Sequence, residues 1–215
     1  SGDNTKNGER VAEIDVANGL RYMQNEIRSF GVVNGIDYSA FQVFATVGNH
    51  DLYNGDGALY DKATGDAWNA EGIDTAQFAL IYAGLGYPNA SLDGSVGVKL
   101  TDFFAEDYWS SSFTNGYVQS SNSTAIEIKY YNEHLQNAAD NPSTALQEYA
   151  QIGDGLNQLT FGAKVKNSGY NFFAFDTTDR VEAEKFIPIE IWEEQYNVLK
   201  ADTSRKFYVS ADRKE

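Results

Sequence analysis

The chain has no cysteine and only two histidines among its 215 residues. The lack of cysteine excludes disulfides, thiolate metal ligands and cysteine nucleophiles. Basic residues are also scarce, because 16 Lys and Arg face 31 Asp and Glu, which gives a formal charge of −15. Such a balance argues against a nucleic-acid surface and against electrostatic docking on an anionic membrane. No run approaches the roughly 20 apolar residues of a transmembrane helix, so none is expected.

Apolar and aromatic residues are abundant enough for a substantial core. They make up 42% and 14% of the chain, which excludes a disordered protein. The length suits one domain with a large insertion, and we predict a single domain over residues 1–215 with an insertion at about 52–160. An acidic, cysteine-free chain rich in Asn, Gly and Tyr is typical of secreted or surface proteins of bacteria, which predicts an extracellular or cell-surface location.

Hydrophobic periodicity predicts a helix over residues 8–30, capped by Asn7 and ended by Gly31. Its apolar stripe comprises Val11, Ile14, Ala17, Leu20, Met23, Ile27 and Phe30. The run of β-branched and aromatic residues at 41–47 predicts a strand buried on both faces, as in a parallel sheet.

The rest of the chain predicts alternating helices and strands. Asp74 and Gln77 form a capping box before an apolar run, and a further helix begins at Pro142. Strands are expected around 96–100 and 125–130, a β-hairpin at 161–166 and 171–176, and a last amphipathic helix at 188–200. The order indicates an α/β fold, with a βαβ front and an α+β elaboration behind it, layered as sheet and helices.

The most informative segment is Gly48-Asn49-His50-Asp51, directly after the predicted strand. Ligand groups collect at the carboxyl ends of strands in open α/β sheets. An Asn amide oxygen can bind a cation, a neighbouring His can donate a proton, and an Asp can orient the imidazole ring.

A second polar segment, Ser1-Gly2-Asp3 through Asn7-Gly8-Glu9, precedes the first helix. Asp3 lies where a loop turns into that helix, and its carboxylate suits a metal ligand or bridge. One helix and one strand join this segment to Gly48–Asp51, so the two are expected to meet in space.

On these two motifs the chain resembles the calcineurin-like metallophosphoesterases, most closely their bacterial extracytoplasmic branch. Looser matches are Tyr82, Gly86, Tyr87, Asn89 and Ala90, and the run Phe173-Ala174-Phe175-Asp176-Thr177. The resemblance covers about residues 1–180. It implies a layered sheet-and-helix sandwich of the metallophosphoesterase type.

The resemblance also implies the chemistry of the site. Two divalent ions (Mn, Fe, Zn or Ni) would polarise a phosphate ester and supply the attacking hydroxide. Asp3 would bridge the two ions and Asn49 would bind one of them. His50 would stabilise or protonate the leaving group, and Asp51 would hold His50 in its working tautomer.

The chain departs from the family in its other metal ligands. An upstream Asp-x-His motif has no counterpart, since only two residues precede Asp3, and no histidine follows His134. Two oxygen ligands cannot hold a pair of transition metals against water. We therefore expect a fragment of a longer phosphoesterase that holds no metal pair and is inactive alone.

Other interpretations stay open at this point. The chain could be a non-catalytic surface module whose long insertion binds a sugar or a partner, with the phosphoesterase motifs as relics. The acidic stretch 51–61 is a weak candidate for a calcium loop. His134 is expected to be a solvated surface residue. The substrate beyond a phosphate ester, the metal and the oligomeric state are not specified by the sequence.

Overall fold

The structure is a computed structural model with a mixed α/β architecture. It describes residues 3–53, 72–91, 97–104, 121–155, 157–178, 189–201, 204 and 206–211. Five α-helices lie in these residues: α1 (Arg10–Asn34), α2 (Thr75–Ile81), α3 (Glu133–Asp140), α4 (Ala145–Tyr149) and α5 (Ile189–Ala201). In the same ranges, no helix combines the length and the hydropathy of a bilayer-spanning segment.

Four strands form one mixed sheet: β1 (Ile126–Tyr130), β2 (Phe161–Val165), β3 (Tyr170–Phe175) and β4 (Lys206–Ala211). They are ordered β1-β2-β3-β4. The first three are antiparallel neighbours, whereas β4 runs parallel to β3 with Tyr170 opposite Lys206. The predicted hairpin of β2 and β3, the strand at 125–130 and the last helix are confirmed within one or two residues.

The predicted strand at 41–47 is wrong, and the described residues hold no βαβ unit at the front of the chain. Its backbone bonds do not form a ladder. The amide of Val43 donates to the Gln24 side chain at 2.6 Å, and the amide of Ala45 donates to the Leu85 carbonyl at 2.9 Å. A side chain and a single turn accept these hydrogen bonds. The segment is therefore partly buried at 41–44 and buried at 45–47 without belonging to the sheet.

The first helix is longer than predicted. It runs to Asn34, and the left-handed Gly35 (φ 67°) ends it in place of Gly31. Gly31 is required for another reason. The chain beyond the helix folds back over it, and a Cβ at this position would lie 2.5 Å from the Ile36 carbonyl oxygen.

The buried face of α1 is only partly the predicted apolar stripe. Ile14 and Ala17 are buried, but three stripe residues are 41–56% exposed: Val11, Met23 and Phe30. The other large buried side chains of this face are polar, namely Arg10, Glu13, Arg21 and Gln24. Arg10, Arg21 and Gln24 donate to loop carbonyls, as when Nε of Arg21 donates to the Ala83 carbonyl at 3.0 Å. Glu13 accepts from the side chains of Thr5 and Tyr82. Hydrophobic periodicity cannot detect a helix face that packs through hydrogen bonds.

Other differences are local. The predicted strand near Leu100 is a 3-10 turn at Leu100–Asp102, and residues 92–96 before it lie outside the described residues. Helix α3 was not predicted, although Asn132 caps it by accepting from the amides of His134 and Leu135. Helix α4 begins at Ala145, three residues after Pro142, and β4 was also not predicted.

Aromatic rings organise the core around Phe161 of β2. Four rings have centroids within 6.3 Å of its own: Tyr87, Phe44, Tyr130 and Phe172. Gly86 (φ 105°) lies against this ring, and a Cβ there would be 2.8 Å from the Phe161 side chain. The core therefore fixes the 84–87 turn, which in turn holds the segment leading to Gly48. The single-domain organisation over 1–215, with its insertion at about 52–160, stays a prediction.

Candidate functional site

The segment before α1 meets the segment 48–51. The backbone amide of His50 donates to the Asp3 carboxylate, with 3.1 Å between nitrogen and Oδ1. Both residues are exposed, as is Asn49 beside them. The structure therefore brings three of the four predicted site residues to one small area of surface.

Gly8 shows how closely these two segments pack. It adopts a left-handed conformation (φ 64°), and a Cβ added to it would lie 2.4 Å from the His50 carbonyl oxygen. Only glycine avoids both the backbone strain and the overlap. The glycine at position 8 is thus explained by contact with the opposite segment.

Asp51, the fourth predicted residue, lies beneath the surface and is fully buried. Its Oδ1 accepts from the backbone amides of Asn4 (2.9 Å) and Thr5 (3.2 Å). Its Oδ2 accepts from the Asn4 side chain (2.8 Å) and from the Gly48 amide (3.0 Å). One carboxylate therefore ties the loop that carries Asp3 to the loop that carries Asn49 and His50.

The imidazole of His50 is oriented from an unexpected direction. Its Nδ1 lies 2.6 Å from the Lys6 carbonyl oxygen. A carbonyl only accepts hydrogen bonds, so Nδ1 carries the hydrogen in this contact and Nε2 is the other ring nitrogen. The resemblance implied that Asp51 fixes this tautomer. In the structure, the Lys6 carbonyl makes the contact with Nδ1 of His50. Asp51 instead accepts hydrogen bonds from backbone amides and from the Asn4 side chain.

A second buried carboxyl group, which sequence reasoning missed, lies beside Asp51. Glu13 of α1 is fully buried. Its Oε1 accepts from the Thr5 hydroxyl at 2.5 Å, and its Oε2 accepts from the Tyr82 hydroxyl. Asp51 lies close enough to Glu13 for its charge to act on the Glu13 carboxyl group. The sequence placed Glu13 on the predicted helix. However, Glu13 is not part of the apolar stripe from which the buried face of α1 was predicted.

Burial dominates the electrostatics of this pair. It raises the pKa of Glu13 to about 9, and the charge of Asp51 adds to the rise. Burial also raises the pKa of Asp51, while the hydrogen bonds that it accepts act in the opposite direction. Two neighbouring carboxyl groups in a protein interior oppose each other's ionisation, so burial and the Asp51 charge both favour the neutral form of Glu13.

The described residues do not fit a centre of two metal ions. Across these ranges, no three His, Cys, Asp or Glu side chains converge to hold an ion. Asp3 and Asn49 offer one carboxylate and one amide oxygen, which is fewer than a stable transition-metal site needs. Their roles as bridge and ligand stay predictions.

The looser family matches have structural roles in this fold. Tyr82 contacts Glu13, and Tyr87 lies in the aromatic core. Asp176 is buried and accepts from the Leu159 amide at 3.0 Å and from the Thr178 hydroxyl at 2.6 Å. These contacts shape the loops after β3 and before β2.

Two further sequence predictions concern His134 and the candidate calcium loop at 51–61. His134 is partly buried, and its Nδ1 lies 2.8 Å from Oε2 of Glu148, which links α3 to α4. The expectation of a solvated surface histidine therefore holds only in part, because the side chain is 29% exposed. Residues 54–71, which hold most of the candidate calcium loop, lie outside the described residues.

Comparison with protein-family models, with curated proteins and with solved structures finds no match. The geometry of the two facing segments is therefore the main support for any function.

Proposed function

We propose that this chain is part of a metal-dependent phosphoesterase that hydrolyses phosphate mono- or diesters, and that the 215 residues are inactive alone. One observation supports the proposal above all. The Asp3 carboxylate accepts from the His50 amide at 3.1 Å, so residues 47 positions apart present their polar groups on one surface. A chance occurrence of either motif would not require this convergence.

Within this proposal, His50 acts as the proton donor. Its Nδ1 is directed at the Lys6 carbonyl, and Nε2 delivers a proton to the leaving oxygen as the P–O bond breaks. Such general acid catalysis typically contributes about 10²–10⁴-fold to the rate. In this scheme Asp51 makes no contact with substrate. It positions the backbone of His50 because its hydrogen bonds join the loop of Asn4 and Thr5 to the loop that begins at Gly48.

Asp3 and Asn49 are the two oxygen donors that this chain contributes towards the metal ions. Because the described residues supply too few donors for two metal ions, this proposal takes the remaining ligands from residues outside the described ranges or from the rest of the parent enzyme. The extracellular or cell-surface location is proposed on composition alone.

The reading frame of the gene tests the parent function. We expect an upstream Asp-x-His motif after a strand and a downstream Gly-His-x-His motif. If the natural gene encodes neither, the enzyme proposal fails and a non-catalytic surface module takes its place.

A chromogenic phosphodiester assay of the purified chain with added Mn²⁺ tests the inactivity. We expect the same rate with and without protein. Turnover by the wild-type chain that is lost in His50→Ala would overturn this part of the proposal while supporting phosphoesterase chemistry.

A further inference from the structure

The segment 41–47 has backbone groups that pair with nothing in the described part of the chain. It runs without helix, turn or bend. The amides of Val43 and Ala45 have acceptors. Among the described residues, the amides of Phe44 and Thr46 have no acceptor and the Phe44 carbonyl has no donor. Because alternate residues of an extended backbone direct these groups to opposite sides, the unpaired groups of Phe44 and Thr46 lie along one side of the segment.

The side chains of this segment are already packed on both faces. Phe44 stacks on Phe172 of β3, with ring centroids 4.8 Å apart, and the hydroxyl oxygens of Thr46 and Ser210 of β4 lie 3.1 Å apart. On the other face Ala45 is buried in the main core. Thr46 is only 7% exposed, and buried backbone groups in proteins are nearly always paired. The segment therefore has the surroundings of an interior strand with one open side.

The Thr46 carbonyl shows which part of the chain approaches this open side. It accepts from the side-chain amide of Asn4 at 2.9 Å. The backbone of Asn4 is fixed at the same place, because its amide donates to Asp51 at 2.9 Å. The carbonyl and the amide of Thr46 lie on the same side of an extended backbone. The chain that leads from Asp3 to Asn4 is therefore next to the open side, at its carboxyl end.

We propose that the segment 41–47 becomes a sheet strand in the parent enzyme, by pairing in parallel with an extended segment that leads into Asp3. The pairing is parallel because both chains would reach the site at their carboxyl ends, one entering Gly48 and the other entering Asp3. The added strand would supply a donor for the Phe44 carbonyl and acceptors for the amides of Phe44 and Thr46. The inference rests on the proposed function only in taking this chain as part of a longer enzyme.

A second copy of this chain is a poorer partner for the open side. Each copy carries a formal charge of −15, so association of two copies works against electrostatic repulsion. The approach at the carboxyl end is also taken by Asn4, whose side chain already donates to Thr46. A strand that continues into Asn4 avoids both difficulties.

Amide hydrogen exchange, measured by NMR on this chain and on the product of the natural gene, tests the proposal. Ala45 is the matched control, since its amide lies between the two open ones and donates to the Leu85 carbonyl at 2.9 Å. In this chain the amides of Phe44 and Thr46 should exchange at least about tenfold faster than that of Ala45, because hydrogen bonding slows exchange. In the full gene product all three should exchange slowly and at similar rates.

Several results would overturn the proposal. Slow exchange of Phe44 and Thr46 in dilute samples of this chain would mean that their amides are paired within it. Slow exchange that appears only as the concentration of this chain rises would assign the open side to a second copy. Equally fast exchange in the full gene product, or a natural gene with no strand-forming sequence before Asp3, would also refute the pairing.

The pairing and the proposed function can fail separately. Protection of Phe44 and Thr46 in a gene product that lacks the Asp-x-His and Gly-His-x-His motifs would support the strand and refute the phosphoesterase. A gene product that has both motifs but leaves the two amides unprotected would do the reverse.

Discussion

Substitution of Gly8 by alanine tests the contact between the two segments of the site. The new Cβ would lie 2.4 Å from the His50 carbonyl oxygen and 3.2 Å from that of Asp51. Both are backbone atoms, so the overlap can be relieved only by moving the loops apart. Overpacking of this kind costs about 1–3 kcal/mol, and alanine at a left-handed φ adds about 1–2 kcal/mol. We expect a loss of about 2–5 kcal/mol in the free energy of unfolding.

Gly35 is a matched control for this prediction. Its φ is 67°, against 64° for Gly8, and nothing lies within 4 Å of a Cβ added there. Gly35→Ala should therefore show the backbone cost alone, about 1–2 kcal/mol. Urea unfolding followed by circular dichroism measures both. Equal losses in the two variants would mean that Gly8 does not pack against His50, and the reasoning would be refuted.

Three further predictions concern the polar groups of the site. Asp51→Asn should lower the free energy of unfolding by about 2–4 kcal/mol in chemical denaturation, since an amide cannot accept all four donors. A loss below about 1 kcal/mol would contradict the four hydrogen bonds that Asp51 accepts. His50→Ala should change stability by less than about 0.5 kcal/mol, because the residue is exposed, and a large loss would show that its side chain supports the fold. The pKa of Glu13 is about 9 in the folded state, against 4.5 for an ordinary glutamate. Its contribution to stability is therefore complete below about pH 4.5 and falls as the pH rises towards 9. Thermal unfolding across this interval should show a slope of up to about 1.4 kcal/mol per pH unit that decreases in Glu13→Gln. An identical slope in that variant would contradict a raised pKa of Glu13 in the folded state.

Elements with a local signature were predictable from the sequence. The capping box of Asp74 and Gln77 is present as expected, because its hydrogen bonds join residues three positions apart. The β2–β3 hairpin follows from alternating residues around a tight turn with Asn167 at positive φ. In such cases the residues that determine the structure are neighbours in the chain.

Elements that depend on distant partners were not predictable. The segment 41–47 has the composition of a buried strand, yet its partners are Gln24 and the Leu85 carbonyl. Burial of Glu13 likewise depends on Thr5, Tyr82 and Asp51, which lie 8, 69 and 38 residues away along the chain. Periodicity contains no information on partners at these separations.

The candidate site was predicted in part. The two polar segments meet, as their positions on either side of a helix indicated, and Gly8 provides the close approach. The orientation of His50 was not predictable, because a backbone carbonyl (that of Lys6) makes the contact, and every residue has one.

The central claim, that Asp3 and Asn49 lie side by side on one surface, can be measured directly because the chain has no cysteine of its own. The variant Asp3→Cys/Asn49→Cys would be treated with a short bis-maleimide and analysed by intact mass. The control is Asp3→Cys/Val33→Cys, since Val33 is also exposed but lies about 35 Å beyond the start of α1 at about 1.5 Å per residue. The account predicts a cross-link within one chain for the first pair and none for the second. Failure of the first pair to cross-link better than the control would contradict it.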